Sequence, residues 1–173
     1  IQWFKSVRAQ FKRWRDIAPV VVIFGNHDLL AEECSQWFYE EFVKLNIYSI
    51  IHAPLLFQGI KLWGSAIQPV FHNWAFNVND ETRTRKFAQI EPCNILVTHC
   101  PPYGILDKNK DGEHIGDPIL YKRITELKPK YHISGHCHEA RGVKEIGGTT
   151  FINCAVTNEN YQLAHKPIYI DYN

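Results

Sequence analysis

Val20-Val21-Val22-Ile23-Phe24-Gly25-Asn26-His27-Asp28 is the stretch from which the fold can be read outward. Five consecutive apolar, largely β-branched residues suit a strand buried on both faces. Gly25 ends the run and a polar loop follows at once. The same arrangement recurs twice downstream. Ile95-Leu96-Val97 passes into Thr98-His99-Cys100-Pro101-Pro102, and Tyr131-His132-Ile133-Ser134 passes into Gly135-His136-Cys137-His138.

The segments between these strands alternate in period. Phe4, Val7, Phe11 and Trp14 follow helical spacing over 1–16, and Pro19 stops the pattern. Leu30, Cys34, Trp37, Phe38, Phe42 and Leu45 predict a helix over 30–45, and further helices are expected near 80–89 and 118–127. Strands are expected at 47–51, 55–58 and 60–64, with Gln58-Gly59 as a tight turn, and again near 143–147, 149–153 and 167–172. Residues 65–80 and 104–117 read as loops. This alternation indicates an α/β or α+β layered domain with antiparallel strands toward the C-terminal side.

The 173 residues, 45% apolar and 21% charged, suit one globular domain over 1–173. A net charge of +1 gives no electrostatic case for nucleic acid or an anionic membrane as partner. The one basic cluster, Lys5, Arg8, Lys12, Arg13 and Arg15, reads as the solvated face of the first helix. No apolar run approaches the roughly 20 residues of a membrane span, and the opening residues do not resemble a signal peptide. Without any methionine, the chain is expected to begin inside a longer product. Cys34, Cys93, Cys100, Cys137 and Cys154 lack paired spacing, which suggests free thiols in the cytoplasm and disfavours a structural zinc module.

The histidines carry the chemistry. Loops from several strands converge beyond the carboxyl ends of an α/β sheet, and here three such ends bear imidazole. Any one of them alone is an ordinary turn or a hydrogen-bonded histidine; together they suggest a mixed N/O ligand shell suited to Zn, Mn or Fe better than to Ca or Mg.

Gly25-Asn26-His27-Asp28, Thr98-His99 and Gly135-His136-Cys137-His138 resemble, in order, the later metal-binding blocks of the calcineurin-like metallophosphoesterases. From about Pro19 onward, including Lys61-Leu62-Trp63-Gly64-Ser65 and Gly135 to Gly142, the chain is similar to the metallophosphoesterase-domain-containing (MPPED) branch, related to class III cyclic-nucleotide phosphodiesterases. Cys100 departs from the glycine frequent in that branch. The family's earlier Asp-x-His and Gly-Asp blocks do not occur here, and Gly116-Asp117 lies too far downstream to replace them.

The resemblance implies a layered β-sandwich flanked by helices and lacking its N-terminal strands. It implies two divalent ions (Mn, Fe or Zn) in the intact domain and at most one, weakly held, in this chain. Asn26, His99 and His136 would ligate one ion and His138 the other. A bridging hydroxide would attack a phosphate ester or cyclic nucleotide, His27 would stabilise an equatorial phosphoryl oxygen or protonate the leaving group, and Asp28 would orient His27 and sustain its charge. The alternative is a catalytically impaired scaffold that keeps the fold. Phe71, Trp74 and Phe76 are candidates either for stacking on substrate or for packing their loop. Arg141 is expected to be structural, and His72 and His114 are not assigned to the site.

Overall fold

A computed structural model describes residues 2–172, with the side chains of residues 2, 3, 5 and 6 outside the described set. The Lys5 side chain of the basic cluster therefore lies outside the described set, while Arg8, Lys12 and Arg13 are exposed. Helix α1 (Gln2–Ile17) leads into β1 (Val21–Val22), then α2 (Leu29–Glu33), α3 (Ser35–Lys44) and β2 (Tyr48–Ser49). Strands β3 (Ala53–Phe57), β4 (Ile60–Ser65), β5 (Gln68–Pro69) and β6 (Asn77–Val78) precede α4 (Asp80–Ala88) and β7 (Ile95–Thr98). Helix α5 (Pro118–Leu127), β8 (Tyr131–Ser134), a short 3₁₀ turn at His138–Ala140, β9 (Gly142–Ile146) and β10 (Thr149–Asn153) complete the order.

The central sheet runs β3-β4-β7-β8-β10-β9. Strands β4, β7, β8 and β10 are mutually parallel, and antiparallel strands close both edges. Neighbouring residues of a strand face opposite sides, so β4 reports on both layers. Trp63 packs with Phe87, Leu120 and Ile124 from α4 and α5. Gly64 faces the other way, where any Cβ would overlap the Ile50 backbone just after β2. That second layer holds the β1-β2 ladder and a core of Phe4, Phe24, Phe38 and Phe42 from α1, the segment just after β1, and α3. Edge-on rings, such as Phe4 against Phe38 at 5.4 Å and Phe42 at 5.6 Å, lock it.

Four details differ from the sequence pattern. The strand expected over Val20–Phe24 keeps ladder geometry only at Val21–Val22; among the described residues its one partner is β2, so its valines are half-buried rather than buried on both faces. The helix expected over 30–45 breaks at Cys34, whose φ of −118° is not helical, into α2 and α3. The 65–80 loop contains β5 and β6, each two residues long and so too short to show a period. No strand forms over 167–172. That segment lies across the Tyr131 side chain, which bonds Asp171 O at 3.4 Å, instead of beside an edge strand. The Gln58-Gly59 turn matches expectation, with both residues at positive φ as a two-residue hairpin of this twist requires.

The cysteines are all free. Among the described residues no helix is long and apolar enough to cross a membrane.

Candidate metal centre

The parallel strands bring their carboxyl ends to one edge of the fold. His99 N–H extends the ladder to Ser65 O at 3.1 Å, and Gly135 N–H does so to His99 O at 3.2 Å. His99 and His136 thus leave adjacent strands side by side. The Gly25–Asp28 loop reaches them from β1. Gly25 is required there, since a Cβ would overlap the His99 ring.

Three donor atoms converge. His99 Nε2 lies 2.5 Å from Asn26 Oδ1, His136 Nδ1 lies 3.1 Å from His99 Nε2, and His136 Nδ1 lies 3.3 Å from Asn26 Oδ1. Burial, then the neighbouring histidines His136, His27 and His138, push the His99 pKa down to about 3. Burial followed by His138 and His27 pushes His136 down to about 4. Both imidazoles are therefore neutral near pH 7 and carry ring lone pairs. Three contacts among two neutral rings and an amide oxygen cannot all be ordinary hydrogen bonds. Ligands held about 2 Å from one Zn-like ion stand roughly 3 Å from each other, so this donor set fits a transition-metal ion. Among the described residues no three His, Cys, Asp or Glu side chains form a ligand group; the third donor here is the Asn26 amide.

His136 sits at φ +64°, and Cys137 N–H bonds Gly135 O at 2.7 Å. A three-residue turn centred on a positive-φ residue is strained, and it turns His136 inward. His138 is not in contact with the trio. Its Nδ1–H donates to Asn158 O at 2.9 Å, a bond that fixes the tautomer and leaves Nε2 as the acceptor. His27 is exposed at the mouth, with its ring 5.5 Å from Trp74 and 6.0 Å from Tyr161. Asp28 Oδ2 accepts from Gly25 N–H at 2.7 Å, which closes the loop, and burial raises its pKa. That carboxylate shapes the Asn26–His27 turn rather than hydrogen-bonding the His27 ring.

These groups border a cavity of about 630 Å³, walled by Phe71, Trp74, Lys110 and Tyr161. Phe76 instead stacks on Phe24 in the core at 6.4 Å. Arg141 clasps Ala155 O at 2.7 Å and Lys166 O at 2.6 Å, a structural role. His114 pairs with buried Asp107 at 2.6 Å, and exposed His72 packs on Phe71 outside the cavity. Lys110 and Tyr161 carry no motif signal in the sequence.

A buried chain supports the His99 loop: His132 Nε2–H donates to Thr98 Oγ1 at 2.9 Å, and that hydroxyl donates to Cys100 O at 2.7 Å. Burial pushes the His132 pKa down to about 3. The unfolded chain then binds more protons than the folded one between about pH 6.5 and 3, so stability falls as pH drops through that window. Raised carboxyls at Asp28 and Asp117 act in the opposite sense, so the histidine is best isolated by comparison. Between pH 7.5 and 5.0, His132→Gln is expected to lose about 2 kcal/mol less stability than the parent in urea melts. Equal losses would contradict it.

Residues 2–140 match the family model of the calcineurin-like phosphoesterases. The chain belongs to that family. It is 33% identical over 190 aligned residues to human Metallophosphoesterase domain-containing protein 1, covering 94% of this chain and 58% of the human protein. It is 36% identical over 116 residues to UPF0046 protein T07D4.2 of Caenorhabditis elegans, covering 65% of this chain and 29% of that protein. The chain thus spans from under a third to under two thirds of the length of these relatives. A crystal structure with 18% identity superimposes at a TM-score of 0.65 over 87% of this chain and 65% of its own, which shows the fold alone. The calcineurin-like fold expected from the three histidine blocks and the MPPED-type kinship expected from the wider stretches of sequence agree with these matches. Calcineurin-like phosphoesterases, as a family, are hydrolases of phosphate esters.

Proposed function

We propose that this phosphoesterase chain is one domain of a phosphodiesterase with a dinuclear metal centre, acting on a small phosphodiester such as a cyclic nucleotide. The convergence of Asn26 Oδ1, His99 Nε2 and His136 Nδ1 on one point at the cavity floor carries this reading. These three hold one divalent ion, with Mn, Fe or Zn suited to the N/O set. A second ion would take His138, whose Nε2 is left as acceptor by its bond to Asn158 O, and would need further anionic ligands that the described residues do not supply there. When bound, such ions supply Lewis acidity, an activated water near neutral pH and neutralisation of phosphoryl charge. His27 stands at the mouth, where it meets the departing alkoxide as hydrogen-bond or proton donor. Asp28 fixes the turn that carries both Asn26 and His27. The free thiols suit a reducing cytoplasm.

A second reading, a scaffold that keeps the fold with impaired catalysis, is favoured by one observation: no carboxylate joins the three converging donors among the described residues. Without an anion to offset two divalent charges, this chain holds at most one ion, weakly. Calorimetric titration with Mn(II) and Zn(II), paired with bis-p-nitrophenyl phosphate turnover, separates the readings. One weakly bound ion per chain with slow, metal-dependent turnover is expected. Two tightly held ions would overturn the stoichiometry, and no ion with no turnover would favour the scaffold.

A further inference from the structure

The far wall of the cavity comes from a hairpin beyond the residues that match the family model. Thr157 pairs with Leu163, and Asn158 N–H bonds Gln162 O at 2.9 Å, leaving a three-residue loop. Asn158 organises it: its Oδ1 accepts from Asn160 N–H and Gln162 N–H at 3.0 Å each, while its carbonyl accepts from Tyr161 N–H at 2.9 Å. The third loop position of such hairpins is left-handed and favours glycine. Here it is Tyr161, at φ +58° and 64% exposed. A bulky residue in that conformation is strained, and a ring so exposed recovers little through burial. Folding alone gives no reason for a tyrosine there.

Its surroundings do. The Tyr161 ring stands edge-on to His138 at 5.2 Å and to His27 at 6.0 Å. Trp74 approaches the same His27 at 5.5 Å and His136 at 6.1 Å. The Trp74 loop is fixed in advance, since Ala75 N–H bonds Asn26 O at 3.0 Å and Phe76 N–H bonds Glu32 Oε1 at 2.9 Å. Two aromatic rings therefore flank His27, the imidazole proposed above to meet the departing group.

We propose that Tyr161 and Trp74 form a leaving-group subsite for phosphate esters of planar apolar alcohols, the phenol class, with Tyr161 as its specificity-determining residue. This rests on the phosphoesterase reading above. Aromatic pairing of this kind is worth about three- to tenfold in binding.

The test uses phenylphosphonate and methylphosphonate, neither of which is hydrolysed, titrated into the chain with Mn(II). The parent is expected to prefer phenylphosphonate; Tyr161→Ala should lower that preference about three- to tenfold with methylphosphonate unchanged, and Tyr161→Phe should keep it. Tyr161→Gly should lose the preference yet melt at a higher temperature than the parent, an outcome that a tyrosine placed for stability would not give. The subsite is overturned if Tyr161→Ala keeps the preference, if Tyr161→Phe loses it, or if Tyr161→Gly is less stable. Metal-dependent methylphosphonate binding with no advantage for the phenyl compound would reject the subsite and leave the phosphoesterase reading standing. If neither compound binds with Mn(II), that reading fails and the subsite falls with it.

Discussion

Replacing His99 with alanine is expected to weaken Mn(II) binding by more than about a hundredfold and to abolish metal-dependent turnover. Altering a group that merely orients a ligand already costs 10- to 100-fold in affinity at such centres, and His99 supplies a donor directly. The ring is the hub of the cluster, the one group within 3.1 Å of both Asn26 Oδ1 and His136 Nδ1. Without it one imidazole and one amide oxygen remain, 3.3 Å apart, a poor chelate for a hydrated ion. Fold is not expected to fail, because the ladder bonds of residue 99 are made by its backbone. Asn26→Asp should move affinity the other way, since a carboxylate oxygen brings the charge that the amide lacks. His165→Ala, at an exposed position outside the cavity wall, is the control. Calorimetry on the three variants decides it; Mn(II) affinity preserved in His99→Ala would remove the basis for the centre.

The histidine cluster was readable because its signal is local. Each of Asn26, His99 and His136 follows a short apolar run, and a sheet with parallel strands must gather such ends at one edge. Element types survive for the same reason: the helical stripe of Phe4 and Phe11 and the paired glycine-type turn at Gln58-Gly59 are near-neighbour patterns. What the chain hides is pairing between distant residues. The break at Cys34 leaves the apolar stripe of α2 and α3 unbroken, so periodicity reads straight through it. Asp28 looks like a partner for adjacent His27, yet its oxygen goes to Gly25 N–H because closing the turn satisfies a nearer donor. Tyr161 lies in a polar run, and only the fold of the hairpin carries it over His138. The expected strand at 167–172 has the right alternation but no free strand edge beside it, and alternation alone cannot supply one.

Asp117→Ala is expected to cost about 3 kcal/mol of folding stability, the low end of the range for breaking a buried ion pair, because Arg83 keeps Asp80 Oδ1 and Val78 O as partners. The carboxylate is fully buried, and its Oδ2 lies 2.9 Å from Arg83 Nε, itself only 5% exposed. Burial pushes the Asp117 pKa upward, while Arg83 and the helix amides pull it back. Oδ1 also caps α5, accepting from Ile119 N–H at 2.8 Å and Leu120 N–H at 3.3 Å, and caps are worth about 1 kcal/mol. One side chain thus ties α4 to α5 behind the sheet. Its backbone fastens the corner after His99 as well, since Asp117 N–H bonds Pro101 O at 2.9 Å and Tyr103 N–H bonds Asp117 O at 3.1 Å. The loss should be smaller in Asp117→Asn, which keeps the cap oxygen, and should be partly reversed in Arg83→Met/Asp117→Leu, which removes both charges at once. A denaturant-melt cycle over these variants measures the pair. If Arg83→Met adds its full cost to that of Asp117→Leu, the two groups are not coupled and the anchoring of the His99 corner must come from the backbone bonds alone.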